Sequence, residues 1–204
     1  MDTGKTLTIG SVTIGGPRTV VIAEAGVNHL GRLDDAEELV KTAARAGADV
    51  VKFQTYKAEN LTTKDAPRFW SWEGEVASEG SQFDSYSLLD SFGREQHIQL
   101  MELCHKYGVE FMSTPFDAEA ADMLVDIGMK GFKIASCDLN NLPFLSHIAA
   151  KGLPILLSTG AGTLEDIRRA VDTIEAQGNS QIGILHCTLC YPTEPADSNL
   201  SAIH

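Results

Sequence analysis

The sequence predicts an α/β protein: six βα units of a (β/α)8 TIM barrel behind an N-terminal β-hairpin. Three observations carry this. Six short apolar runs recur along 204 residues, and each of the first five leads into an amphipathic segment with helix-stop signals. That is the pattern of a parallel sheet with helices outside it. Second, polar residues close every run: Glu24; Lys52 and Gln54; Thr114; Lys133 and Ser136; Ser158; His186. A doubly wound open sheet would gather such residues at its switch point, whereas a barrel spreads them over the C-terminal ends of all its strands. Third, no GxGxxG or P-loop string follows any run, which disfavours a nucleotide-binding sheet.

Taken in order, residues 6–9 and 12–14 alternate around Gly10-Ser11 as a small hairpin, placed to plug the bottom of a larger sheet. Strand 20–25 leads through a Gly-Val-Asn-His-Leu-Gly loop (26–31) into a helix with Ala36, Leu39, Val40, Ala43 and Ala44 on one face. Asp34 and Glu37 read as its capping pair and Gly47 as its stop. Val50–Thr55 is the second strand. Residues 56–93, with Trp70, Trp72, Phe83 and Tyr86, are too long for an ordinary connection and read either as a lid or as a decorated loop on the rim. Then follow a helix over 94–107 ended by Gly108, a strand over 110–114, and a helix from 119 to Gly128. After these come a strand over 132–135, a helix from 143 that ends before Gly152, and the strand Ile155–Ser158. A helix capped by Thr163 with Asp166 stops near Gly178, and the last strand covers 182–187. The sequence reaches His204 after six strands, before any helix after the sixth is complete, so residues 1–204 are expected to be an incomplete barrel domain, part of a longer protein, with two open sheet edges.

Composition narrows the function. A 43% hydrophobic chain of this length supports one sizeable core. A net charge of −12 argues against nucleic acid or an anionic membrane as partner. The opening MDTGKTLTIG has no apolar signal region and no run of 18 apolar residues occurs, so a cytoplasmic location is expected. The four cysteines are scattered, as reduced thiols would be, and Cys187-x-x-Cys190 lacks the second ligand pair of a zinc site.

An acidic chain that binds a small anion must place cations locally. In GFKIASCDLNN (131–141), Lys133 sits on a strand, costly unless an anion partners it, and Ser136, Asp138, Asn140 and Asn141 follow. Lys52 and Gln54 alternate with Phe53 and so face the interior together, where Lys52 meets a substrate or pairs with Glu24 of the neighbouring strand. Ser158-Thr159-Gly160-Ala161-Gly162 runs into a helix start and has the hydroxyls, backbone and helix end of a phosphate cradle. A barrel-strand lysine, Lys133 or Lys52, also permits a Schiff-base aldolase or lyase acting on a keto acid. A non-catalytic barrel segment serving oligomerisation is the remaining alternative.

Six strings occur in order: IAEAGVNHLG (22–31), AGADVVKFQTYKAENL (46–61), FMSTPFD (111–117), FKIASCDLNNLPFL (132–145), LSTGAGTLEDI (157–167) and LHCTLCYPTEPADSNL (185–200). Together they resemble the N-acetylneuraminate (sialic acid) synthase family, with its legionaminate and pseudaminate relatives. The resemblance implies condensation of phosphoenolpyruvate with an N-acetylated hexose such as N-acetylmannosamine, giving a nonulosonate and phosphate. By position, it implies that Lys133, Ser136 and Ser158 hold the phosphate, and that Lys52 and Thr114 meet the phosphoenolpyruvate carboxylate. Glu24, Gln54 and Tyr191 would contact the sugar and, with Lys52, form the catalytic set. It implies a divalent metal, manganese or magnesium, held by histidines on strands seven and eight, hence no metal ligand within this chain. It also implies a homodimer completed by a C-terminal antifreeze-like domain that this chain lacks. Leu189 stands where relatives carry a polar residue and Cys137 where glycine is usual. Without the metal, the chain as it stands is expected to lack turnover.

Overall fold

The computed structural model describes residues 6–68, 80–160 and 162–203; Trp70, Trp72 and Ala161 lie outside the described residues. β1 (Leu7–Ile9) and β2 (Val12–Ile14) pair antiparallel, with Ile9 opposite Val12, as the alternation predicts. Gly10 turns the hairpin at φ +56°, and the Glu110 carboxylate accepts from the Ser11 amide and hydroxyl at 2.9 and 3.0 Å.

β3 (Ile22–Gly26) precedes α1 (Leu33–Arg45), and β4 (Val50–Thr55) precedes a connection that holds α2 (Ala58–Leu61) and α3 (Gln82–Ser87). α4 (Arg94–Tyr107), β5 (Glu110–Pro115), α5 (Ala118–Asp126), β6 (Phe132–Ile134), α6 (Leu142–Ala149), β7 (Ile155–Ser158), α7 (Leu164–Glu175) and β8 (Ile182–Leu185) follow. The six strands β3 to β8 form one parallel sheet in sequence order. Strands that are neighbours in sequence and joined by right-handed crossovers place every helix on the same face.

Alternation along each strand then divides the core in two. Val51, Phe53, Phe111, Phe132, Ile134, Ile155 and Leu157 point to the helices and bury against Val40, Leu100, Leu124, Leu145, Ile148 and Ile174. Each such fully buried side chain contributes roughly 1.5–3 kcal/mol. Val50, Met112 and Leu156 point the other way and meet Leu7, Ile9 and Val12 of the hairpin in a separate cluster. The hairpin therefore covers the N-terminal end of the face that the helices leave open, as expected. The fit is close: a Cβ on Gly131 would lie 2.9 Å from Ile9 Cγ2.

Several sequence expectations are corrected. α1 starts at Leu33 with Arg32 as its N-cap, so Asp34 already lies in the first turn and makes no capping pair with Glu37. Glu37 is taken instead by α4, accepting from Lys106 Nζ and the Tyr107 hydroxyl, both at 2.7 Å. β6 ends at Ile134, since Ala135 already caps a 3-10 turn over Ser136–Asp138. The connection 56–93 is not structureless where described. α3 has a Ser81–Asp84 capping box, and Asp90 Oδ2 accepts from the Ala58 amide at 2.8 Å. Among the described residues no helix is long and apolar enough to cross a membrane.

Candidate active site

Beyond the hairpin plug, the same face of the sheet turns polar. Pairing sets Glu24 beside Lys52, Lys52 beside Met112, and Gln54 beside Thr114, so that one apolar row is followed by a charged one. Lys52 is only 8% exposed. Its ammonium contacts Glu24 Oε2 and reaches the Thr114 hydroxyl at 3.5 Å. The β3–β4 register slips between Glu24 and Gly26, and Gly26 takes φ +55°. A Cβ there would lie 3.2 Å from Glu24 Oε1 and 3.6 Å from Gln54 Nε2, so both side chains lie against that glycine. A lysine this buried needs its carboxylate, because an uncompensated charge away from water costs several kcal/mol.

Lys133 is the second cation, half-buried on β6 on the same face as Leu156 of β7. Its ammonium donates to the neighbouring Ile134 carbonyl at 3.1 Å. Burial first and the charge of Lys52 second push it down to about 8, against weaker opposite pulls from Cys187, Glu24 and Cys137. The Glu24 carboxylate pairs with Lys52, and among the described residues Lys133 has only its neighbour's carbonyl as hydrogen-bond partner. The excess positive field in a half-desolvated site favours an anion.

Beside them, Ser136 Oγ accepts from the Gly160 amide at 3.0 Å. A Cβ on Gly160 would lie 3.1 Å from that oxygen and 3.2 Å from Cys187 Cβ, so glycine permits the loops after β6 and β7 to touch. Ser158, 4% exposed, ends β7. Asp138 is buried, and burial raises its carboxyl above the usual range; it accepts from Asn141 Nδ2 at 3.4 Å.

The structure therefore brings Glu24, Lys52 and Thr114 into contact, sets Gln54 beside Glu24, and joins Ser136 to Gly160. Lys133 stands within the electrostatic reach of Lys52 and Glu24. Tyr191 is not gathered with them: it stands in solvent, 92% exposed. At the helix end of the expected phosphate cradle, Thr163 and Asp166 form the predicted capping box at the α7 N-terminus, and Glu165 stands with Asp166 in its first turn. His186 Nε2 donates to the Ser198 carbonyl at 2.8 Å, and the Cys187 and Cys190 thiols turn to backbone carbonyls.

One group escaped the sequence reading. Tyr56 follows Gln54 by two positions and so continues the polar face past the end of β4. It is buried, and its ring meets those of Tyr86 and Phe116 edge-on at 5.5 and 5.9 Å. The alternation that placed Lys52 and Gln54 together carries the signal for Tyr56.

Comparison with known proteins shows what the chain as a whole is similar to. Residues 39–204 match the model of the NeuB family. The chain is 42% identical over 187 residues to the N,N'-diacetyllegionaminic acid synthase of Legionella pneumophila, covering 90% of this chain and 52% of that protein. It is 39% identical to the spore coat polysaccharide biosynthesis protein SpsE of Bacillus subtilis, covering 96% of this chain and 52% of the relative. It thus spans about half the length of these curated relatives. Among solved structures, the N-acetylneuraminic acid synthetase of Leptospira borgpetersenii in complex with citrate superposes with a TM-score of 0.82 at 35% identity, covering 98% of this chain and 65% of that one. The chain belongs to the NeuB family.

Proposed function

We propose that this chain carries the phosphoenolpyruvate-binding part of a nonulosonate synthase. The reaction would join C3 of phosphoenolpyruvate to the aldehyde of an open-chain N-acetylated hexose, add water at C2 and release phosphate. The observation that supports it most is the pair of lysines on parallel strands, Lys52 buried on β4 and Lys133 half-buried on β6, with one carboxylate, Glu24, against Lys52. A substrate with a carboxylate and a phosphate offers two anionic groups to two cations.

In this reading Lys133, Ser136 and Ser158 hold the phosphate, and Lys52 with Thr114 holds the carboxylate. Glu24 and Gln54 face the sugar, with Glu24 exposed enough to exchange protons with it. Tyr191 reaches the sugar only if its segment folds back from solvent. The names of the relatives support a legionaminate-type or sialate-type product. Phosphoenolpyruvate as substrate places the reaction in the cytoplasm, and a homodimer belongs to the whole protein.

The residues present do not suit the divalent metal that the family resemblance implies. Among the described residues no group of three or more His, Cys, Asp or Glu side chains could hold one, and the Glu24 carboxylate is committed to Lys52 between two cations.

Barrel closure belongs to the same proposal, with residues 1–204 as its first six units. Helices on one face suit a sheet that curls over its other face. Ile22 of β3 and Leu185 of β8, the outer strands, line one hollow of about 360 Å3 with Ile14 of the hairpin. A thermal melt with millimolar phosphoenolpyruvate tests the proposal. Binding at 100 times Kd adds about 2.7 kcal/mol of apparent stability, lost in Lys133→Met. A transition that phosphoenolpyruvate leaves unmoved would refute it.

A further inference from the structure

On the helix-facing side of the sheet, Phe53 and Phe111 stack at 5.8 Å in one apolar cluster with Leu100. Within two or three residues of these lie three buried polar side chains, Thr55 of β4, Ser113 of β5 and His97 of α4. His97 Nδ1 is 2.7 Å from the Gly93 carbonyl, His97 Nε2 is 2.8 Å from Thr55 Oγ1, and Thr55 Oγ1 is 2.7 Å from Ser113 Oγ. A carbonyl only accepts, so Nδ1 carries the proton and Nε2 accepts from Thr55. A hydroxyl has one hydrogen, so Thr55 in turn accepts from Ser113. The bonds thus form one directed chain from β5 through β4 to the α4 N-cap, Gly93. We propose that this trio is a positioning device for the carboxylate end of the candidate site, holding Gln54 and Thr114 in place from behind. What that site binds rests on the synthase reading above; the role of the trio goes beyond it.

The register makes the connection. Gln54 pairs with Thr114; Thr55 follows the first and Ser113 precedes the second. The two hydroxyls therefore bridge the same step of the ladder diagonally, on the opposite face of the sheet from the site. A slip of one residue would turn Lys52, Gln54 and Thr114 away from the site and Thr55 and Ser113 toward it. It would also break the bonds of the trio and leave buried polar groups unpaired, which penalises every register but this one. Stability alone does not call for a polar trio here, because apolar side chains of the same shape would fill the layer about as well. Apolar packing, however, discriminates poorly between neighbouring registers, and a fully paired polar chain discriminates sharply. Thr114 is also the hydroxyl that Lys52 reaches at 3.5 Å, so its placement passes on to the buried cation. The trio itself faces the helices and acts only through Gln54, Thr114 and Lys52.

The probes are phosphoenolpyruvate and inorganic phosphate, their affinities measured by calorimetry on the 204-residue chain. Thr55→Val keeps the shape of the side chain and removes its hydroxyl. Phosphoenolpyruvate should then bind about tenfold more weakly, the effect of one hydrogen bond put out of place. Inorganic phosphate, assigned to β6 and β7, should stay within about twofold, as a distant site does. Thr55→Ser returns the hydroxyl and should restore the affinity. The combined variant Thr55→Val, Ser113→Ala, His97→Leu leaves no member of the trio unpaired. Checked as folded by circular dichroism, it should keep most of its stability in urea and show the same loss of phosphoenolpyruvate affinity. In the wild-type chain, nitrogen-15 shifts of the His97 ring should place the proton on Nδ1. An unchanged phosphoenolpyruvate affinity in the folded combined variant, an equal loss for both ligands, no recovery in Thr55→Ser, or a proton on Nε2 overturns the proposal and leaves the synthase reading standing. A wild-type chain that binds neither ligand refutes both.

Discussion

Two buried histidines make stability fall with acid well before the carboxylates titrate. His29 is 2% exposed, its ring stacked on Phe92 at 4.1 Å and 9°, and its Nδ1 accepts from the Gly31 amide at 3.1 Å. Burial first and the nearby His97 second push it down to about 4. His97 lies between the Gly93 carbonyl, 2.7 Å from Nδ1, and the Thr55 hydroxyl, 2.8 Å from Nε2. A carbonyl only accepts, so Nδ1 carries the proton and Nε2 takes the Thr55 hydrogen; burial lowers this group too. In both cases the folded state binds its proton less readily than the unfolded chain, whose histidines titrate near 6.5. Stability is therefore fully present above that pH and declines as pH falls, for His29 until its folded value near 4. At about 1.4 kcal/mol per pH unit, His29 alone removes about 2 kcal/mol by pH 5 and about 3 kcal/mol in the limit. Urea unfolding between pH 7.5 and 5 measures this, in a window above the range where the ion-paired carboxylates protonate. His29→Leu should flatten the profile by about that amount. A stability independent of pH between 7 and 5, or a profile that a folded His29→Leu leaves unchanged, would refute the reasoning.

Two further outcomes follow from the packing and the charges. Gly131→Ala sets a methyl 2.9 Å from Ile9 Cγ2 and should cost about 1–3 kcal/mol in urea unfolding, a clash relieved in Ile9→Ala, which removes both γ carbons and Cδ1. Glu24→Gln removes the carboxylate that pairs with Lys52, so phosphate should bind about tenfold more tightly by calorimetry, about 1.4 kcal/mol, while the protein loses stability because Lys52 is left buried and unpaired.

Much of the fold was legible because its signals are local. Val50–Thr55 and Ile155–Ser158 appear within their apolar runs, α4 ends on a glycine at φ +73°, and α7 starts at the predicted Thr163–Asp166 box. Where the reading failed, the deciding partner is distant in sequence. Glu37 leaves its own helix for Lys106 and Tyr107, some 70 residues on, a competition that no pattern within α1 reveals. The same is true of the site. Alternation alone put Lys52 and Gln54 on one face, but whether Lys52 would meet Glu24 depended on the register between β3 and β4. Tyr191 follows the last strand and has no neighbouring strand to fix its direction.

The two halves of each strand explain how an acidic chain can attract an anion. At a net charge of −12 the distant field repels anions, but screening confines that repulsion to about 8 Å in physiological salt. Within the site the balance is local: two ammonium groups and one carboxylate. The hairpin matters here as much as the lysines. By filling the lower half of the face with Leu7, Ile9 and Val12, it removes the water that would otherwise hydrate Lys52 from below. The lysines are thus held partly desolvated before any ligand arrives, at a cost met by the cores on either side of the sheet. An arriving anion recovers that cost. A change that weakens the plug, such as Ile9→Ala, should therefore raise the Lys133 titration toward its ordinary value and weaken anion binding together.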